Sequence, residues 1–272
     1  MIIPRRRRRR EKRDPELILN FVREQVVVYE RQVQVALEDY MEHRTTRELL
    51  GRLVREGELA SSVEEHYVGG GKRKIRWFYL PNADEEELET AKRTKLILMG
   101  FYTGYERAFV YEGMRYDDYA EYLVERAFLK AGYRVVGKST NYFNGKRYTK
   151  KDVDLDFIVY SPSGHFIGVE VKNRLDYPEL KDIVNFLDIT SFLGLKPLFI
   201  ARFMPKKYIM DIIEAGGYVV ITKRYFLRPG VPRPIFDALI RIGIPLGVYN
   251  RPPKFLVRRL EQAIEYFEQK DP

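Results

Sequence analysis

Residues 154–173 read DLDFIVYSPSGHFIGVEVKN, and their pattern decides the fold of the second half of the chain. DFIVY (156–160) and HFIGVEV (165–171) are rich in aromatic and β-branched residues, which favour strands. Ser161-Pro162-Ser163-Gly164 between them is a cluster of turn formers, so the stretch predicts a β-hairpin. Its charges are out of place. Asp156 heads one apolar strand, while Glu170 and Lys172 punctuate the other two residues apart. Side chains at i and i+2 share a face of a strand, so Glu170 and Lys172 project together and Asp156 can reach them across the hairpin. Two carboxylates and an ammonium on an apolar hairpin are costly unless they pair, bind a cation or do chemistry.

Working outward, 117–131 reads as an amphipathic helix closed by Gly132, a helix-ending glycine. YRVVGKS (133–139) is a strand, followed by the polar loop TNYFNGKRYTKKDV. After the hairpin, a helix from Pro178-Glu179 to about Leu193 precedes a buried strand at 196–202. A helix over 206–215, a strand at 217–222 and helices near 234–242 and 254–269 complete the chain. Mixed strands and helices in this order predict a three-layer α/β/α sandwich with a mixed central sheet.

The first half reads differently. Leu17, Ile18, Phe21 and Val22 mark a first helix, and Tyr29 to Tyr40 a second. Thr45-Thr46 with Glu48 makes a capping-box pattern for a third, whose buried face is Leu49, Leu50 and Leu53. Strands at 62–68 and 73–80 flank Gly69-Gly70-Gly71 as a second hairpin, with Lys72, Arg73, Lys74 and Arg76 beside its tip. The acidic run PNADEEE (81–87) opens a connecting helix over 84–99. The aromatic stretch 100–116, with Phe101, Tyr102, Tyr105, Phe109 and Tyr111, reads equally as helix or irregular chain. The expected division is a disordered basic tail (1–14), a first domain (15–82), a helical linker (83–112) and a second domain (113–272).

Composition narrows the chemistry. The 272 residues include no cysteine and three histidines, which excludes thiol nucleophiles and makes a histidine- or cysteine-built zinc site a poor expectation. A metal here would be a hard cation on carboxylates, magnesium or manganese. No apolar run approaches the roughly 20 residues of a membrane span, and the N-terminus lacks a secretory apolar core, so a cytoplasmic location is expected. The net charge is +9, but residues 1–14 hold eight basic against two acidic residues, so most of it is the tail. Six consecutive arginines repel one another and add sequence-independent attraction for phosphate.

Helix, helix, helix and basic hairpin over residues 15–80 resembles the winged helix-turn-helix family. The resemblance implies that the third helix enters a DNA major groove and the hairpin touches backbone. Arg44, Thr46, Arg47, Arg52 and Arg55 would then be DNA contacts, with Lys72, Arg73, Lys74 and Arg76 on the wing. Over 117–222, a helix with an internal Glu, a strand, the hairpin with Asp156 and E-x-K, then helix and strand, resembles the PD-(D/E)XK nuclease superfamily. Archaeal Holliday-junction resolvases and related restriction-type nucleases are its nearest branches.

That resemblance implies a DNA endonuclease of repair, recombination or restriction, on duplex or branched DNA, in a family whose members are commonly homodimers. Asp156 and Glu170 would hold magnesium with the Val171 carbonyl, Lys172 would orient or activate the water, and Glu121 would be an outer-shell or second-metal group. The chain departs from the family in three places. Leu155 stands where a proline precedes the first acid, Asp154 replaces a Glu, and the 178–193 helix has no glutamine. Either Asp154 or Asp156 can therefore be the ligand, with Asp156 deeper in the apolar strand.

Three other readings compete. Glu170 and Lys172 can be a plain ion pair on a strand, with Asp156 facing a loop. Tyr160, His165 and Lys196 resemble the Tyr-His-Lys set of tRNA-splicing endonucleases, which cleave RNA by metal-free acid-base chemistry. A winged-helix regulator with an inactive, nuclease-like dimerisation domain is the non-enzymatic reading.

Overall fold

The computed structural model describes residues 14–68, 71–108 and 116–270. The arginine tail, Gly69-Gly70, Phe109 and Tyr111 lie outside the described residues, as do the side chains of 101–118. The chain is mixed α/β and divides into two units. Residues 1–115 with 231–246 form the first, and 116–230 with 247–272 the second.

The first unit runs α1 (Pro15–Gln25), β1 (Val27–Tyr29), α2 (Glu30–Ala36), α3 (His43–Arg55), β2 (Ala60–Val68), β3 (Gly71–Tyr79) and α4 (Glu85–Ala108). The strands form an antiparallel sheet in the order β1-β3-β2. Asp14 caps α1 by accepting from the Glu16 amide at 3.0 Å, the kind of bond that satisfies an orphan donor of the first turn. Ile18, Leu19 and Val22 of α1 meet Leu49, Leu50 and Leu53 of α3 and Phe78 of β3 in one apolar core.

Two local expectations fail. The helix over 29–40 is shorter at both ends: Tyr29 joins Val27 and Val28 in a buried strand paired with β3, and the helix stops at Ala36, after which 37–40 form a turn. The VVVY run is β-branched, and pairing with a sheet edge outweighs continuation of the helix. Helix α3 starts at His43, two residues before the expected cap, with Glu42 at its N-cap and no side-chain cap bond. The stretch 100–116 is helical as far as Ala108.

Helix α8 (Arg233–Arg241) belongs to this unit rather than to the C-terminal domain expected from sequence. Its last carbonyls are capped from the first unit. Gln25 Nε2 donates to the Arg241 carbonyl and Gln32 Nε2 to that of Ile242, each at 2.9 Å. Gly243, at φ +87°, follows, and a Cβ there would lie 2.7 Å from the Ala36 Cβ. Only glycine fits that approach.

The second unit comprises α5 (Tyr116–Lys130), β4 (Arg134–Thr140), β5 (Tyr142–Phe143), β6 (Lys146–Arg147), β7 (Leu155–Tyr160), β8 (Phe166–Lys172), α6 (Leu180–Leu193), β9 (Lys196–Ala201), α7 (Lys206–Glu214), β10 (Tyr218–Ile221), β11 (Tyr225–Leu227) and α9 (Lys254–Lys270). A last short strand, β12, spans Leu246–Val248. The five-stranded sheet has the order β10-β9-β8-β7-β4. It is mixed: β4, β7 and β8 are antiparallel neighbours, while β8, β9 and β10 run parallel. Ile183, Phe186 and Ile189 of α6 and Ile212 of α7 pack with Ile158 and Phe199. Phe128 of α5 lies edge-on to Phe157, and Tyr218 of β10 meets Tyr266 of α9. Helices thus cover both faces. Among the described residues, no helix is long and apolar enough to cross a membrane.

Candidate functional site

The 154–173 stretch folds as expected. Ser161 closes the turn: its amide donates to the His165 carbonyl at 2.9 Å, and its hydroxyl accepts from the His165 amide at 3.1 Å. Gly164 takes φ +86°, a conformation that other residues resist. The register sets Phe157 opposite Val169 and Ile158 opposite Gly168, so Asp156 comes opposite Glu170. Directly opposed residues project to the same face. Here that is the α6 face, because Ile158 and Phe199 pack against α6.

Asp156 Oδ2 accepts from the Val171 amide at 2.6 Å. The Lys172 ammonium pairs with Glu170 Oε1, and the two side chains keep 18% and 12% of their exposure. Burial pushes the Asp156 carboxyl up to about 7, with the charge of Glu121 adding to it. Burial and then Asp156 push Glu170 up to about 7 as well. For Lys172, burial works against the charged form, but Glu170 and Asp156 outweigh it and its pKa is raised. The group is two carboxyls that resist ionising side by side and one firmly protonated amine.

No family model, curated protein or solved structure matches the chain. Its chemistry must be read from the geometry.

Among the described residues, no three His, Asp or Glu side chains form a ready-made metal cage. A magnesium site needs fewer, since this ion keeps several waters and is commonly held by one or two carboxylates. The donors present fit such an ion. Asp156 and Glu170 would be hard oxygen donors, each kept from ionising by burial and by nearby carboxylate charge, against which Lys172 acts on both and Arg174 on Asp156. A divalent cation would add positive charge beside the two carboxyls.

The structure separates the two aspartates. Asp156 lies within β7, whereas Asp154 is exposed and precedes the strand. Glu121, on α5, is near enough to act on Asp156. Val171 enters the site through its amide. The Tyr-His-Lys set engages different neighbours. Tyr160 lies between Phe166 and the Arg134 guanidinium, His165 stands against Phe267, and Lys196 begins β9 opposite Ile167.

Two residues at the site were not legible as functional. Asn173, next after Lys172, clasps Phe226 with both ends of its amide, donating to its carbonyl at 3.0 Å and accepting from its amide at 2.8 Å. Arg202, fully buried, donates to the Arg174 and Leu175 carbonyls at 3.0 and 2.8 Å. Together they hold the chain that leaves β8 at Lys172. The available signal was an arginine ending the apolar strand KPLFIA, and it gave no partner.

The expected DNA contacts fare unevenly. Thr46 is a correction: it is fully buried, and its hydroxyl donates to the Glu42 carbonyl at 3.3 Å. A hydroxyl spent inside the helix cannot meet a base. Arg44 pairs with Glu48 at 2.8 Å, Arg52 with Glu56 at 3.6 Å, and Arg47 with Glu30. Arg55 is exposed at the end of α3, and Lys72, Arg73, Lys74 and Arg76 are exposed on β3.

Proposed function

We propose that this chain is a metal-dependent nuclease that hydrolyses phosphodiester bonds of DNA, with the second unit cutting and the first docking. The observation that carries the reading is the opposed, partly buried pair Asp156 and Glu170 with the Lys172 ammonium against it. A surface ion pair would not include a second carboxylate buried at its side. The sheet and helix order around the pair agrees with the PD-(D/E)XK resemblance, and so does Glu121, whose charge reaches Asp156.

A bound magnesium or manganese would neutralise developing charge and make a water acidic enough to attack. Asp156 and Glu170 are the side chains that would hold it. The Val171 amide engages one oxygen of Asp156, so the other would be the one available to hold the ion. Lys172 has a raised pKa and stays an ammonium near neutral pH. That suits it to orienting the water and offsetting phosphate charge rather than to serving as a base. Arg202 and Asn173 hold the backbone after Lys172 and so keep the ammonium in place.

For the first unit, the order helix, strand, two helices and a two-stranded hairpin, with β3 central in its sheet, supports the winged-helix reading. The test is cleavage of duplex, branched and single-stranded DNA and of RNA in magnesium, manganese or EDTA, beside Asp156→Ala and Glu170→Ala. The expected result is magnesium-dependent cutting of DNA that both substitutions abolish while binding survives. Cutting of DNA by Asp156→Ala in magnesium refutes the assignment, and cutting of RNA in EDTA favours the splicing-endonuclease alternative.

A further inference from the structure

Helix α3 and the outer half of the β2–β3 hairpin lie on the same side of the first unit's sheet, since Phe78 of β3 packs into the core that α3 covers. Their charges differ. Each of Arg44, Arg47 and Arg52 is accompanied by a glutamate, so most of the helix surface offers phosphate as much repulsion as attraction. On the hairpin, the register sets Val63 opposite Arg76, Glu65 opposite Lys74 and Tyr67 opposite Lys72. Residues two apart on β3 share a face, so Lys72, Lys74 and Arg76 form one row with Glu65 as the acid among them. Among the described residues, that glutamate pairs with Lys72 at 3.1 Å, and no carboxylate pairs with Lys74 or Arg76. The other face is engaged in the fold: Glu64 binds Lys92 of α4 at 2.7 Å, and His66 lies edge-on to Trp77.

At the end of this basic row stands Tyr67, 75% exposed, with Val63 also exposed further down the strand. An aromatic ring held out on a strand beside a row of cations is the combination that takes single-stranded nucleic acid. Cations follow the backbone, and the ring stacks on a base of any sequence. A base within a duplex offers no such face.

We propose that the outward face of this hairpin, rather than helix α3, is the main nucleic-acid contact of the first unit, and that Tyr67 stacks on an unpaired base while Lys72, Lys74 and Arg76 hold the adjoining backbone. The preferred ligand is then a duplex with a frayed end, flap or branch, chosen by structure rather than by sequence. The inference rests on the reading that the chain acts on nucleic acid, and its test requires no cleavage.

The test is fluorescence anisotropy of the full chain in EDTA, with a blunt duplex and the same duplex carrying a single-stranded overhang, each over a range of salt. The wild type binds the overhang more tightly. Tyr67→Ala loses about tenfold of affinity for the overhang and little for the blunt duplex, and Tyr67→Phe keeps the preference. Lys74→Ala weakens both ligands and lowers the salt slope by about one, whereas Arg47→Ala changes little. Circular dichroism melting confirms that Tyr67→Ala is folded. Equal affinity of the wild type for the two ligands, an unchanged preference in Tyr67→Ala, or a larger loss from Arg47→Ala than from Lys74→Ala overturns the inference. Failure to cut DNA with these binding results intact would defeat the nuclease reading alone.

Discussion

Replacing Asp156 with Asn should stabilise the protein in EDTA while removing its response to magnesium. Asp156 is partly buried opposite Glu170, and loss of solvent with the charge of Glu121 raises its pKa from 3.8 to about 7. The unfolded chain loses that proton near its ordinary pKa, so between the two values the folded state holds more protons than the unfolded one. Stability therefore falls as pH rises through this window, and above it an ionised Asp156 costs on the order of 4 kcal/mol. Asparagine keeps an oxygen to accept the Val171 amide, now bonded at 2.6 Å, and relieves Glu170 of its second-largest perturbation. Allowing for an imperfectly satisfied amide leaves a gain of about 2–3 kcal/mol, or roughly 5–10 °C in the melting of the second unit at pH 8. The wild type should gain stability on adding magnesium, because a ligand that binds only the folded state stabilises it by mass action. Differential scanning calorimetry of both proteins in EDTA and in magnesium reads both effects. An Asp156→Asn protein that melts no higher than wild type in EDTA, or that keeps the magnesium shift, refutes the site.

Asp154→Ala should retain magnesium-dependent cleavage within a few-fold, since Asp154 is exposed outside β7; loss comparable to Asp156→Ala would reinstate it as the ligand. Lys95 of α4 is 4% exposed, bonds to Gln25 Oε1 at 3.1 Å, and is held down to about 8 by burial. The unfolded state binds more protons between that value and its ordinary pKa, so stability rises with pH across that window. Lys95→Met should add about 2 kcal/mol at pH 7, measured by urea unfolding, and the gain should shrink towards the top of the window. Gly168→Ala should cost about 1–3 kcal/mol in the same measurement, because its Cβ would lie 2.8 Å from Thr190 Cγ2 and 2.9 Å from Leu155 Cδ1.

What could be read from sequence and what could not divide along the range of the interactions. Asp156, Glu170 and Lys172 could be put on one face because strand periodicity and a short turn fix a hairpin's register locally, and Asp156 indeed comes opposite Glu170. The helices of both units were legible for the same reason: their apolar spacing is a property of neighbours a few residues apart. The start of α3 was missed because Thr45-Thr46 and Glu48 make a capping box on paper, while the helix begins two residues earlier, at His43. Strand β1 was missed because three residues are too short to announce a strand without the partner, β3, that pairs with them. The ownership of α8 depends on Gln25 and Gln32 reaching its last carbonyls from some 210 residues away in sequence.

The same division bears on function. Arginines on a third helix beside a basic hairpin suggest a groove-reading helix only while their partners are unknown. Glu30, which neutralises Arg47, lies on a different helix. A favourable charge count on α3 is thereby turned into near-neutrality, while the β3 row keeps Lys74 and Arg76 unopposed by carboxylates among the described residues. Counterion release scales with the phosphates a protein neutralises, so net rather than gross charge should decide where the backbone lies. The hairpin face sets Lys72, Lys74 and Arg76 against Glu65 alone, and it carries Tyr67. If the second unit cuts DNA, a first unit that holds unpaired bases would place the cut by the shape of the substrate and not by its sequence.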